Sequence, residues 1–232
     1  MHGLFRELTV KANEEIDFGV FKLVLHRLSE DLVTIDRYVG NEHVSSINVS
    51  LSIDEKVRLF PLPPKGGSLK TKYLYLSLQH KPVFISPKKT VSLLSSIPFD
   101  LGVFVEKELV DIIPLCKVKY ALYGPSDLGV LCRYIDHRVI SSCRKEFLGD
   151  VRIRISNATD AKTRVSKIVV PLESISTFLL DDGSVCFNEI YMTIKNHEVA
   201  EITTGLAPSS DEKNVVFSSS YNTRQYIMRY GF

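Results

Sequence analysis

Residues 119–137 read KYALYGPSDLGVLCRYIDH and concentrate the side chains able to do chemistry: Tyr120, Tyr123, Tyr134, Cys132, Arg133 and the pair Asp136-His137. Asp136 beside His137 suggests proton transfer. Adjacent residues of a strand point to opposite faces, however, so the two cannot serve one reacting atom without a third group from elsewhere. Arg133 is the more informative residue. Alternation sets it with Leu131 on one face and Cys132 with Tyr134 on the other, and a guanidinium among apolar neighbours needs a carboxylate or a bound anion. An internal acid such as Asp127 or Asp136 is the expected partner. No spacing in this stretch matches a catalytic or metal-binding motif, so no catalytic residue is assigned.

The rest of the chain adds no reactive constellation. His2, His26, His43, His80 and His197 stand singly, with none of the paired spacings that hold a metal. Cys116, Cys132, Cys143 and Cys186 include no C-x-x-C pair, so neither a zinc ribbon nor a redox motif is present, and buried free thiols are the expectation. Lys65-Gly66-Gly67-Ser68 lacks the following helix pattern that would aim amides at a phosphate. No metal and no cofactor is implied.

Charge is distributed unevenly. Between Lys56 and Phe99 there is no Asp or Glu, while eight lysines and arginines fall there. Tyr73 and Tyr75 share the strand face opposite Leu74 and Leu76, so rings beside lysines could line a groove for single-stranded nucleic acid, held through its phosphates. Lys65, Lys70, Lys72, Tyr73, Tyr75, Lys88 and Lys89, with Tyr123, Arg133 and Tyr134 of the hairpin, make up the candidate binding surface. The competing reading is a solvated face whose lysines pair with Asp100, Glu106, Glu108 and Asp111.

The elements that must position these residues are strands. Period-two alternation is clearest over Val44 to Ile53 and recurs in Lys72 to Leu78 and Val151 to Ile155, the last with Arg152 and Arg154 opposite Val151, Ile153 and Ile155. Runs at Leu32 to Tyr38, Lys56 to Leu62, Val83 to Ile85, Val91 to Ile97, Val165 to Val170, Val185 to Ile194 and Val215 to Phe217 are rich in β-branched and aromatic residues. Tyr120 to Tyr123 and Gly129 to Ile135 read as a hairpin around Gly124-Pro125-Ser126-Asp127. Helical patterns are brief, at Leu172 to Leu180 and Val105 to Ile113. The fold class is therefore all-β: two packed antiparallel β-sandwiches of Ig-like or jelly-roll-like kind with little helix. The expected domains are 1–114 and 115–232, the second ending in a short aromatic and basic tail within Ser209 to Phe232.

With 232 residues, 44% hydrophobic content, 24% charged content and a net charge of +2, the chain has the composition of a soluble globular protein. The N-terminus carries acids where a secretory signal needs an apolar run, and no apolar stretch approaches the length of a membrane span. A cytoplasmic location follows as the expectation.

The run Lys119-Tyr120-Ala121-Leu122-Tyr123-Gly124, followed by Gly129-Val130-Leu131-Cys132-Arg133-Tyr134, resembles the core signature of an uncharacterised archaeal family, domain of unknown function 432. Asp17-Phe18-Gly19, Lys81-Pro82-Val83, Ile97 to Val103 and the block from Ile155-Ser156-Asn157 to Val169-Val170-Pro171 are similar to the rest of its pattern. The resemblance implies an archaeal, cytoplasmic setting and supplies no activity, cofactor or catalytic residue. The expected function is a non-catalytic binding or protein-interaction module with a basic β surface. Its partner is a protein or a second copy of the chain, with nucleic acid through Lys56 to Phe99 as a further candidate. The alternative is a small hydrolase-like enzyme acting on an anionic or sugar substrate, with Arg133 holding charge and Asp127, Asp136 or His137 moving protons.

Overall fold

The computed structural model describes residues 4–205, 215–218 and 225–232. The chain is all-β: among the described residues a single six-residue α-helix, His137–Ser142, accompanies twenty-two strands. They form two compact units, neither continuous in sequence. The first comprises Met1–Phe60 with Leu101–Ile113, the second Pro61–Asp100 with Pro114–Phe232.

The first unit contains a meander in which Glu14–Asp17, Lys22–Ser29, Leu32–Val39 and Glu42–Ser50 pair antiparallel in chain order. Its apolar alternation buries Leu23, Leu25, Val33, Ile35 and Val49. Gly40, at φ +59°, makes the last tight turn, a left-handed conformation that glycine adopts without steric cost. Arg27 ties loop to strand by donating to the carbonyls of Val10 and Leu51.

The second unit holds the chemistry-bearing hairpin. Tyr120–Tyr123 pairs antiparallel with Val130–Ile135, which pairs parallel with Tyr73–Ser77, itself antiparallel to Lys167–Pro171. A larger sheet is built around Leu148–Asn157. On one side this long strand pairs parallel with Val185–Phe187 and Ile190–Ile194, and on the other antiparallel with all nine residues of Thr90–Pro98. Parallel ladders sit beside the expected antiparallel ones because the paired segments are far apart in the chain, leaving room for the crossovers that parallel pairing requires.

The alternation of the sequence survives in the burial. Val151, Ile153 and Ile155 are fully enclosed, whereas Arg152 and Arg154 face outward. The helical pattern at Leu172 to Leu180 folds instead as a 3-10 turn, Leu172–Ser174, and a strand, Thr177–Leu180. The one at Val105 to Ile113 folds as the strand Glu108–Pro114. Strand pairing outweighs propensity in both. The helix that does form is capped by Asp136, whose Oδ1 accepts from the Val139 amide at 2.8 Å.

Two of the four cysteines are not free thiols: Cys116 and Cys143 form a disulfide with Cα atoms 5.4 Å apart. Cys132 keeps a free, buried thiol. Asn157 of the Asn157-Ala158-Thr159 sequon is 2% exposed. It donates to the Ile85 and Ala161 carbonyls and accepts from Thr159, so it acts as a turn anchor. Of the tail beginning at Ser209, residues 209–214 and 219–224 lie outside the described residues, whereas Tyr226–Met228 is a strand paired with Ala200–Thr204.

Candidate functional site

The four-stranded sheet carries the hairpin's chemistry on two opposite faces. On one, register sets Arg133 beside Leu74 and Tyr120. The guanidinium is 1% exposed, and the acid that meets it is Asp100, itself fully buried, with Nη2 and Oδ1 3.8 Å apart. Neither Asp127 nor Asp136 is that partner, because Asp127 is an exposed turn residue and Asp136 is spent on the helix cap. The glycine loop closes the arrangement: the Gly66 amide donates to Asp100 Oδ2, and Arg133 Nη1 donates to the Gly66 carbonyl. Gly67, at φ +130°, lies so close that a Cβ would come within 2.5 Å of the Tyr120 hydroxyl and 3.2 Å of Arg133 Nη1. Burial pushes the Asp100 carboxyl up to about 7, against the pull of Arg133 and of the Gly66 and Lys65 amides. Arg133 is therefore enclosed by its own chain.

The other face is a cluster of tyrosines. Tyr75 packs 5.3 Å from Tyr134 and 6.4 Å from Tyr123, ring centre to ring centre, while Tyr73 meets Tyr226 at 5.0 Å. The end of the chain covers them. Tyr123 donates its hydroxyl proton to the Gly231 carbonyl and accepts from the Tyr230 amide at 3.0 Å, and the Lys167 ammonium lies 5.5 Å from the Tyr123 ring centre. Burial raises the pKa values of Tyr75, Tyr123 and Tyr226 and pushes the Cys132 thiol up to about 12, so all four remain protonated. The rings expected to stack on bases are engaged with one another.

Lys65, Lys70, Lys72, Lys88 and Lys89 are exposed on loops. Lys88 donates to the Ala158 carbonyl and pairs with Asp160, while Lys56 and Arg58 pair with Glu7. Partial desolvation lowers the pKa of Lys65, with Glu173 opposing it. The proton-transfer candidates do not converge either. Burial works against ionisation of Asp136, but the Val139 amide and Lys119 hold its carboxyl below the usual range, and His137 stacks on His80 with ring centres 4.0 Å apart. Among the described residues no three His, Cys, Asp or Glu side chains gather as a metal site would need.

Two features of the large sheet carry no motif. Glu189, with a side chain 5% exposed, sits 3.6 Å from Arg152 and 3.5 Å from Arg154 and accepts from the Tyr191 hydroxyl at 2.6 Å. The second is Thr90–Pro98, TVSLLSSIP. One side of this strand pairs with Leu148–Asn157, and no strand pairs with its other side among the described residues. Leu94 is 72% exposed, and Val91 and Leu93, on the opposite face, are only half-buried. The short helix also touches this strand. Thr90–Pro98 carries no charge, and its proline comes last. The other edge strands are either three or four residues long or, as in Glu42–Ser50, Glu108–Pro114 and Lys167–Pro171, open with a charged residue. Short edges and edge charges are how proteins deter unwanted strand pairing, and Thr90–Pro98 has neither. The signal in the sequence is a nine-residue uncharged strand inside an otherwise lysine-rich stretch.

A model for proteins of unknown function, DUF432, matches residues 4–229. The chain belongs to the DUF432 family. No curated protein and no solved structure shows a significant match to it. The DUF432 match spans the hairpin, the glycine loop and the Thr90–Pro98 edge together.

Proposed function

We propose that the protein is a non-catalytic protein-interaction module whose free edge strand, Thr90–Pro98, takes up a strand of a partner polypeptide. The observation that carries this reading is the length of that uncharged edge together with the exposure of Leu94. Strand addition draws its affinity from main-chain hydrogen bonds and its selectivity from side chains alternating on the two faces, and this edge supplies both. The basic β surface ranks below it, because Tyr73 and Tyr75 are engaged by other tyrosines and lysines alone offer an anion only screened, unspecific attraction. An archaeal, cytoplasmic setting belongs to the same proposal. The Cys116–Cys143 disulfide is compatible with it, since intracellular proteins of hyperthermophilic archaea carry disulfides.

Site-directed photo-crosslinking in the producing cell tests the reading. A photoactivatable residue at Ser92 or Leu94 is expected to capture one defined polypeptide segment, identified by mass spectrometry, while the same probe at exposed Leu28 captures none. Labelling at Ser92 and Leu94 that is no more specific than at Leu28 would overturn it.

A further inference from the structure

Resting on that reading, we propose that the partner strand is Thr90–Pro98 of a second copy of this chain, paired antiparallel about a two-fold axis through Leu94. The strand is suited to meet itself. Leu94 is the central residue of nine, so full overlap sets Leu94 against Leu94 of the second copy, Ser92 against Ser96, and Thr90 against Pro98. No charge is brought against a like charge anywhere in that ladder. The apolar surface left open at the edge is covered in that register: Leu94 meets Leu94 of the second copy on one face, and on the other Val91 falls opposite Ile97 and Leu93 opposite Ser95. An isologous contact of this kind closes on itself and uses the open side of Thr90–Pro98 in both copies.

The neighbouring strand adds charge complementarity. In the ladder between Leu148–Asn157 and Thr90–Pro98, Asp150 stands beside Ser96, Arg152 beside Leu94 and Arg154 beside Ser92. These residues share the outward face with Leu94. Two-fold pairing sets Asp150 in line with Arg154 of the second copy, three ladder spacings or about 14 Å away, and sets the two Arg152 side chains in line with each other, each already paired with its own Glu189. A parallel approach would bring like ends together. At that distance salt largely screens the charges, so they bias orientation only at low ionic strength and contribute little to the strength of the contact. A single strand-to-strand contact is small for a stable dimer, so the pair is expected to associate at about 10–100 µM protein.

Analytical ultracentrifugation of the purified full chain over that concentration range is the test. Wild type is expected to follow a monomer–dimer equilibrium, and Leu94→Glu is expected to remain monomeric. In the folded monomer the new carboxylate lies beside Arg152, whereas in the dimer two carboxylates would meet on the axis. Leu94→Cys supplies a second measurement that needs no loss of association. Mild oxidation is expected to link two chains through position 94, mapped by mass spectrometry, while Leu28→Cys yields no linked dimer. A wild-type protein monomeric throughout overturns the proposal, as does a dimer that survives Leu94→Glu or an absence of linkage through the thiol introduced by Leu94→Cys. If the purified protein is monomeric yet photo-crosslinking at Ser92 captures a strand of a different protein, the second-copy assignment fails and the strand-uptake reading stands. If neither occurs, both fail.

Discussion

The hairpin Tyr120–Ile135 and the edge strand Thr90–Pro98 lie in the same unit and differ in almost every respect. The hairpin is rich in side chains that could do chemistry, and nearly all of them are consumed internally. Arg133 is enclosed by Asp100 and the Gly66 backbone, Tyr123 by the chain end, and Cys132 is fully buried. The edge strand is made of serine, threonine and aliphatic residues, yet it leaves one whole side of its backbone unpaired with any described strand. Reactive residue types locate where a fold concentrates its interactions. What a protein offers to a partner is decided by which groups remain unsatisfied once the fold is complete.

Four experiments test this contrast. Arg133→Ala should be the most damaging, costing about 3–5 kcal/mol, because it strands a buried carboxylate. Chemical denaturation measures it, and replacing both members with Arg133→Met and Asp100→Leu should recover most of the loss; a cost below about 1 kcal/mol would mean that the hairpin's arginine is not structural. Gly67→Ala should cost about 1–3 kcal/mol, since the left-handed backbone and the Tyr120 hydroxyl leave no room for a Cβ. A thermal melt unchanged from wild type would show that the loop yields.

The third experiment uses pH. Asp100 titrates near 7 in the fold and near 4 when unfolded. Between those values the folded chain holds a proton that the unfolded chain has released, so this group's contribution to stability falls as pH rises from about 4 to about 7 and is level above. Urea midpoints at pH 5 and pH 8 should show that decline in wild type and lose it in Asp100→Asn. The smallest effect on stability is expected at the edge: Leu94→Glu should shift it by no more than about 0.5 kcal/mol while abolishing association. A large loss of stability there would place Leu94 in the core of the fold and erase the contrast.

Much of this could be read along the chain. The strand Val83–Ile85 and both strands of the hairpin stand where alternation and turn residues put them, and Arg152 and Arg154 face outward opposite Val151, Ile153 and Ile155. Strand alternation has a period of two residues and needs no knowledge of what lies across the sheet. The same period sets Tyr73 with Tyr75, and Cys132 with Tyr134, on common faces. Local pattern failed where pairing overrode propensity, in the strands Thr177–Leu180 and Glu108–Pro114.

The all-β class, the faces of the strands and the requirement that Arg133 find a carboxylate or an anion follow from local residue pattern alone. Folding in three dimensions was needed to make Asp100 the carboxylate, to bond Cys116 to Cys143, to lay the chain end over the tyrosines and to leave one side of Thr90–Pro98 with no neighbouring strand among the described residues. Each of those depends on contacts between segments far apart in the chain. Side-chain direction is a local property of the backbone, whereas pairing and desolvation are set by whichever distant segment packs alongside.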